Sequence, residues 1–103
     1  MKKRKLGILL TTSPEDESTH TVLKLAEVAL AAGYEVEIFL MRDGVYNVQR
    51  KDFLALGGQG ARLSLCALNV EQRSLPRLEG ILFAGQYHLA QMVAECDRFL
   101  AFN

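Results

Sequence analysis

The sequence contains no tryptophan, only two prolines and only two cysteines among its 103 residues. Two cysteines cannot form the disulfide framework that holds small secreted domains together, so an apolar core must stabilise the chain. No apolar run approaches the ~20 residues that a membrane-spanning helix needs, and residues 6–10 are too short for the core of a signal peptide. We therefore expect a cytoplasmic protein with no membrane span.

The sequence also lacks an excess of charge of either sign. Twelve lysines and arginines balance twelve aspartates and glutamates, which gives a formal net charge of zero. Proteins that bind nucleic acid or anionic membranes usually present a basic face, so we expect no direct contact with nucleic acid. The basic run at residues 2–5 is expected to be a solvated tail. No spacing of cysteines and histidines matches a metal site, so we expect no metal.

Apolar segments that alternate with helical patterns predict the fold class. Runs of apolar residues predict five strands, near residues 6–11, 34–41, 61–66, 80–85 and 98–102, with helices between them. This order predicts an α/β fold, a three-layer α/β/α sandwich around a mostly parallel five-stranded sheet. The length predicts a single domain covering residues 1–103.

Capping signals predict where the helices begin and end. Ser13 is predicted to cap the first helix, with Pro14 in its first position. Asn69 is predicted to cap a short helix after the third strand, and Pro76 to stop it. Residues 86–95 are predicted to form the last helix.

Cys66 is the main candidate for a reactive residue. It ends the third predicted strand, and reactive groups of open α/β sheets collect beyond the carboxyl ends of the strands. A helix capped at Asn69 would bring unpaired N–H groups that favour a thiolate, and Arg73 would add positive potential unless it is a solvated helix residue. The alternative is that Cys66 only fills space, because free cysteines are among the most buried residues.

The last predicted helix carries two further residues of interest. If the third and fourth strands are neighbours, His88 lies beside Cys66 and can shuttle a proton, although a lone histidine at a helix start is commonly a surface residue. Cys96 continues the apolar spacing of Leu89 and Met92, which predicts a core position.

The polar and glycine-rich loops argue against a cofactor. Residues 57–60, Gly-Gly-Gln-Gly, follow a predicted helix and are typical of a helix end rather than a dinucleotide cradle. The hydroxyls of residues 11–13 suit a phosphate, but the acidic residues 15–17 would repel it. Nucleotide or flavin binding is therefore disfavoured, and we expect no cofactor.

Two motifs resemble those of a known family. Residues 42–47, Arg-Asp-Gly-Val-Tyr-Asn, resemble the Glu/Asp-Gly-Val-Tyr-Asn turn of DsrE/TusD-like (DsrE/DsrF-like) sulfur-relay proteins. Residues 63–67, Leu-Ser-Leu-Cys-Ala, followed by Arg73, resemble the strand-end cysteine and downstream arginine of that family. Residues 82–100 are similar to its last helix and strand, so the likeness covers nearly the whole chain.

The resemblance implies a sulfurtransferase or sulfur carrier. Cys66 would accept a sulfane sulfur as a persulfide and pass it to a downstream carrier. Sulfur donor and acceptor proteins are then the partners, and homo-oligomers or hetero-oligomers with related subunits are expected. Tyr46 and Asn47 would form part of the pocket wall, or would simply pack the turn against the sheet.

One departure from the family and one alternative function remain. Arg73 is followed by Ser74, where the family typically has glycine, so the chain is expected to leave this helix differently. The alternative function is a non-catalytic oligomeric α/β interaction module, in which Cys66 is buried and inert.

Overall fold

Apolar, partly β-branched runs form the five strands of one sheet in the computed structural model, which describes residues 3–103. The strands are β1 (Lys5–Leu10), β2 (Glu35–Leu40), β3 (Arg62–Cys66), β4 (Leu82–Ala84) and β5 (Arg98–Phe102). They lie in the order β4-β3-β2-β1-β5, and all neighbouring pairs are parallel. The predicted fold class is confirmed, with a sheet that is parallel throughout the described residues rather than mostly so.

Helices follow the strands, as the crossovers of a parallel sheet require. They are α1 (Glu17–Ala31), α2 (Lys51–Gly58), α3 (Ala67–Gln72) and α4 (Gln86–Glu95). A 3-10 helix (Arg42–Gln49) follows β2, where residues 42–47 resembled a turn motif. No helix within residues 3–103 is long and apolar enough to cross a membrane.

The alternation of side chains along the strands divides the core into two unequal parts. The larger part lies on the face that carries Ile8, Ile38 and Leu63, where α1, the 3-10 helix and α2 pack. The smaller part lies on the opposite face, where Phe39 and Cys66 pack against α4. Cys66 therefore belongs to the thinner half of the sandwich.

The predicted start of the first helix is wrong. The N-cap of α1 is Asp16, whose side chain accepts a hydrogen bond of 2.9 Å from the backbone N–H of Ser18. Ser13 instead donates its hydroxyl hydrogen to Glu15, and its carbonyl accepts the backbone N–H of Asp16 in a turn. Pro14 lies in that turn, outside the helix.

The predicted bounds of the helix after Cys66 are also wrong. Helix α3 begins at Ala67, so Cys66 itself occupies the cap position, and the helix ends at Gln72, ahead of Pro76. The side chain of Asn69 does not cap the helix, because its oxygen accepts the backbone N–H of Arg42 at 2.7 Å. Ser74 has a φ of 53°, which lies in the left-handed region that favours glycine. The chain therefore leaves α3 in a conformation suited to glycine, although serine stands there.

Candidate functional site

Cys66 is the last residue of β3, at the carboxyl edge of the sheet where it was predicted. It lies opposite Ala84, the last residue of β4, and the backbone of α3 continues directly from it. Its N-cap position places it beside the unpaired N–H groups of the first helical turn. The thiol is therefore in the part of an open α/β sheet where ligands collect.

The surroundings of Cys66 are apolar. Cys66 is 5% exposed and shares a buried cluster with Phe39 and Met92. Half-buried apolar residues complete this cluster: Leu9, Met41, Ala84, Leu89 and Phe99. This packing keeps water away from the Cys66 thiol. The same burial also suits a cysteine that only fills space.

Arg73 joins the two motifs of the sequence physically. Its guanidinium donates from Nε and Nη2 to Oδ1 of Asp43, at 3.1 and 3.0 Å, and from Nη1 to the carbonyl of Asn69. Asp43 neutralises much of the positive potential that Arg73 was predicted to add near Cys66. Since Asp43 is largely exposed, the energy of the pair is modest, and its main effect is to hold α3 against the 3-10 helix.

Asn47 connects three segments from a fully buried position. Its Oδ1 accepts the hydroxyl hydrogen of Thr19 at 2.7 Å, and its Nδ2 donates to the carbonyls of Thr12 and Gly44 at 3.0 and 2.9 Å. These bonds tie α1 and the loop after β1 to the 3-10 helix. Tyr46, its neighbour, is half-buried. The observed contacts of Asn47 favour packing of the turn, and a place for either residue in a sulfur pocket stays a prediction.

Replacing Asn47 with alanine is expected to lower the free energy of unfolding by about 2–4 kcal/mol, because two buried hydrogen bonds and one part-buried hydrogen bond are lost. Urea denaturation of both proteins measures this loss. Asn69→Ala is the matched control, since Asn69 is half-buried and its polar contacts reach solvent-accessible groups, so a loss of no more than about 1 kcal/mol is expected. Equal losses in the two variants would contradict the structural role of Asn47.

His88 lies near the start of α4, on the side of the sheet that carries Cys66. Its Nε2 is 2.7 Å from Oε2 of Glu37, and its ring stacks on Phe39 with the centroids 6.1 Å apart. The observed bond of the imidazole is thus with Glu37 on β2, and Phe39, on which the imidazole stacks, belongs to the cluster of Cys66. The start of α4 lies on the Cys66 side of the sheet, as predicted. No direct contact between His88 and Cys66 supports the predicted proton transfer.

Glu37 is a residue that sequence reasoning missed. Its side chain is only 12% exposed, although it is a carboxylate on a central strand. The signal was present, because Glu37 interrupts the apolar residues Val36, Ile38 and Phe39. A charged residue in a strand that is covered on both faces of the sheet needs a partner. The partner of Glu37 is His88.

Cys96 differs from Cys66 in place and in chemistry. The predicted core position is wrong in detail, because α4 ends at Glu95 and Cys96 is only half-buried. Its Sγ fills the space above Gly7, where a Cβ atom would lie 2.6 Å from the sulfur. Burial, followed by the nearby carboxylate of Glu37, raises the pKa of the Cys96 thiol. Cys96 is therefore a poor nucleophile at neutral pH.

The two cysteines lie at opposite ends of the sheet. Gly7 pairs with Glu37, which pairs with Arg62, and Cys66 is four residues further along β3. Four residues of a strand span about 13 Å, which is too far for a disulfide between Cys66 and a cysteine packed on Gly7. Both thiols are free.

One family model matches nearly the whole chain. The sequence model described as the DsrE/DsrF-like family matches residues 4–102. An uncharacterized protein from Methanopyrus kandleri is 29% identical, over 94% of this chain and 93% of the relative.

Solved structures agree on the fold. The crystal structure of the ychN protein from E. coli superposes with a TM-score of 0.83 at 23% identity, over 96% of this chain and 99% of the other. A conserved protein of unknown function from Bacteroides thetaiotaomicron gives a TM-score of 0.80 at 19% identity, over 95% and 94% of the two chains.

Proposed function

Because this chain belongs to the DsrE/DsrF-like family, we propose that it is a sulfur-relay protein that carries sulfane sulfur on Cys66. The observation that carries the proposal is the place of Cys66, at the carboxyl end of β3 and at the first turn of α3, inside an apolar cluster. Cys96 lacks these features and has a raised pKa. The chemistry therefore falls on Cys66 alone.

The proposed reaction consists of two thiol exchanges. The Cys66 thiolate attacks the outer sulfur of a donor persulfide, a new S–S bond forms, and the donor leaves as a thiolate with the electron pair of the broken S–S bond. An acceptor thiolate then attacks the outer sulfur on Cys66 and restores the Cys66 thiolate. Atoms and electrons balance without a metal or a cofactor.

The residues around Cys66 have supporting roles in this proposal. The Arg73–Asp43 pair fixes α3, the helix that follows Cys66, against the 3-10 helix. Phe39 and Met92 keep reductants away from the persulfide. Tyr46 and Asn47 shape the turn that Asp43 begins.

Partner proteins are part of the proposal, since members of this family often work in relays. Exposed apolar side chains stand on both sides of Cys66, with Leu68 on α3 at 60% and Tyr87 on α4 at 79% exposure. A donor or acceptor that reaches the carboxyl edge of the sheet would contact both. We place the relay in the cytoplasm, where thiols are kept reduced, and assign it to one domain spanning the chain.

We further propose that the protein forms homo-oligomers or hetero-oligomers with related subunits. Val93 and Leu82, both about half exposed, lie on the thinly covered side of the sheet and would be buried by a second subunit. Sedimentation of the purified protein at micromolar concentration is expected to show a species larger than a monomer. A clean monomer would contradict self-association.

The test of the relay is the mass of the intact protein after incubation with a persulfide donor. A gain of one sulfur atom, reversed by reductant and located on the peptide that contains Cys66, is the expected result. The competing function is a non-catalytic interaction module, which the 5% exposure of Cys66 favours. Correctly folded protein that gains no sulfur from several donors would support that module.

A further inference from the structure

Helix α4 covers Cys66 on the thinner side of the sandwich. Leu89 and Met92 of this helix pack in the cluster of Cys66, and within residues 3–103 no other helix adds a side chain to that cluster. A reagent that approaches Cys66 from this side must therefore displace α4. Because the Cys66 thiol is buried, the access of a reagent to the thiol is a separate property from the reactivity of the thiol itself.

Few buried side chains hold α4 to the sheet. Leu89 and Met92 are its apolar anchors, whereas Tyr87 and Val93 are exposed. Two polar side-chain contacts join it to the sheet within the described residues: His88 with Glu37 at 2.7 Å, and Glu95 with Lys5 at 3.8 Å. The second contact is long and exposed at the far end of the helix. Elements with few buried contacts open most readily, and opening the beginning of α4 requires breaking the His88–Glu37 contact.

We propose that Glu37 and His88 form a pH-responsive latch that controls access to Cys66. Glu37 acts through His88, so both are positioning residues rather than catalytic ones. The latch regulates the proposed sulfur relay, so its biological role rests on that proposed function. Its test measures only whether Cys66 can be reached, so the latch and the relay succeed or fail independently.

The direction of the pH effect follows from the charges around the pair. An imidazole changes charge between about pH 5 and pH 8. At the lower end, imidazolium and carboxylate form a charge-assisted hydrogen bond, which is roughly twice as strong as a neutral one. The latch is therefore closed at low pH and loosens as pH rises.

The other groups that face Glu37 do not reverse this direction. Lys5 of β1, Glu35 of β2, Arg62 of β3 and Cys96 line the same small cavity as Glu37. The two cations and the two carboxylates balance in charge, and the thiol of Cys96 is uncharged near neutrality because its pKa is raised. These neighbouring charges therefore add no net bias to the contact between Glu37 and His88.

The experiment compares the rate of Cys66 alkylation by iodoacetamide in the full-length wild type, His88→Gln and Glu37→Gln between about pH 5.5 and pH 8. Peptide mass identifies the modified cysteine. Dividing each variant's rate by the wild-type rate at the same pH cancels the ionisation of the thiol itself. We expect both variants to react about fivefold faster than wild type near pH 5.5, equivalent to about 1 kcal/mol, with the ratio falling towards one near pH 8. His20→Gln is the matched control, because His20 is exposed on α1, and its ratio should stay at one.

Hydrogen exchange provides a readout in unmodified protein. Amides of α4 in the wild type, corrected for intrinsic exchange, should be less protected near pH 8 than near pH 5.5, which keeps the proposal testable even if a variant fails to fold. A ratio that does not change with pH in either variant overturns the latch, and so does a Cys66 that never reacts. Alkylation of Cys66 with the expected pH dependence, but without sulfur loading, would support the latch and contradict the relay. Sulfur loading of Cys66 together with alkylation ratios that do not change with pH would support the relay and overturn the latch.

Discussion

Replacing Cys66 with serine is expected to reduce sulfur loading to background while the protein still folds. A hydroxyl does not form a persulfide, and no second thiol lies near enough to take over, because Cys96 packs on Gly7 at the other end of the sheet. The serine hydroxyl enters an apolar cluster, so a stability loss of about 1–3 kcal/mol accompanies the change. Intact mass after donor treatment measures loading, and circular dichroism confirms the fold.

Cys96→Ser is the matched control for this loss. The raised pKa of Cys96 leaves little thiolate at neutral pH, so this variant should load as wild type does. Cys66→Ala separates packing from chemistry, since it removes the sulfur without burying a hydroxyl. Loading that survives in Cys66→Ser and disappears in Cys96→Ser would move the carrier role to the opposite end of the sheet and refute the proposed site.

The parts of the fold that sequence predicted well are those determined by local patterns. Helix α4 and strand β5 have the predicted bounds, because an apolar stripe and a short apolar run are enough to specify them. The apolar run near residues 6–11 likewise predicted β1, which lies inside the parallel sheet. These features led to the fold class without any knowledge of tertiary contacts.

One physical cause of the failures is competition from distant groups for the same polar atoms. Asn69 was a plausible helix cap, yet the N–H of Arg42, 27 positions away in sequence, takes its side-chain oxygen. Capping preferences describe an isolated helix end, and a tertiary hydrogen bond overrides them.

The candidate site shows the same limit. The sequence placed Cys66 at a strand end, but the contact between Glu37 and His88 spans 51 positions and leaves no periodic signal. Because Arg73 pairs with Asp43, it joins α3 to the 3-10 helix instead of acting as a free positive charge. Strand ends were thus predictable, whereas the partners of charged side chains required the fold.

Replacing Gly44 with alanine is expected to destabilise the protein strongly, although the change adds only one methyl group. A Cβ atom at this position would collide with the carbonyl oxygen of Leu10 and lie 2.9 Å from its carbonyl carbon. These are backbone atoms at the end of β1. The same carbonyl accepts the backbone N–H of Met41, directly after β2, so moving the carbonyl away would also disturb that hydrogen bond. A loss of at least about 3 kcal/mol in the free energy of unfolding is expected, because the new atom meets backbone rather than a flexible side chain.

The displacement caused by Gly44→Ala should also reach Cys66. The carbonyl of Gly44 accepts a hydrogen bond from Asn47, and the preceding residue, Asp43, holds Arg73 of the segment that follows Cys66. Gly58→Ala is the matched control, since no atom lies within 4 Å of a Cβ at that position and it ends α2 in a helical conformation. Alanine is favoured over glycine in helices by about 0.5–1 kcal/mol, so this variant should be as stable as wild type or slightly more so. Equal urea midpoints for the two variants would show that the close approach of Gly44 to β1 does not exist in solution, and the motif at residues 42–47 would then need another explanation.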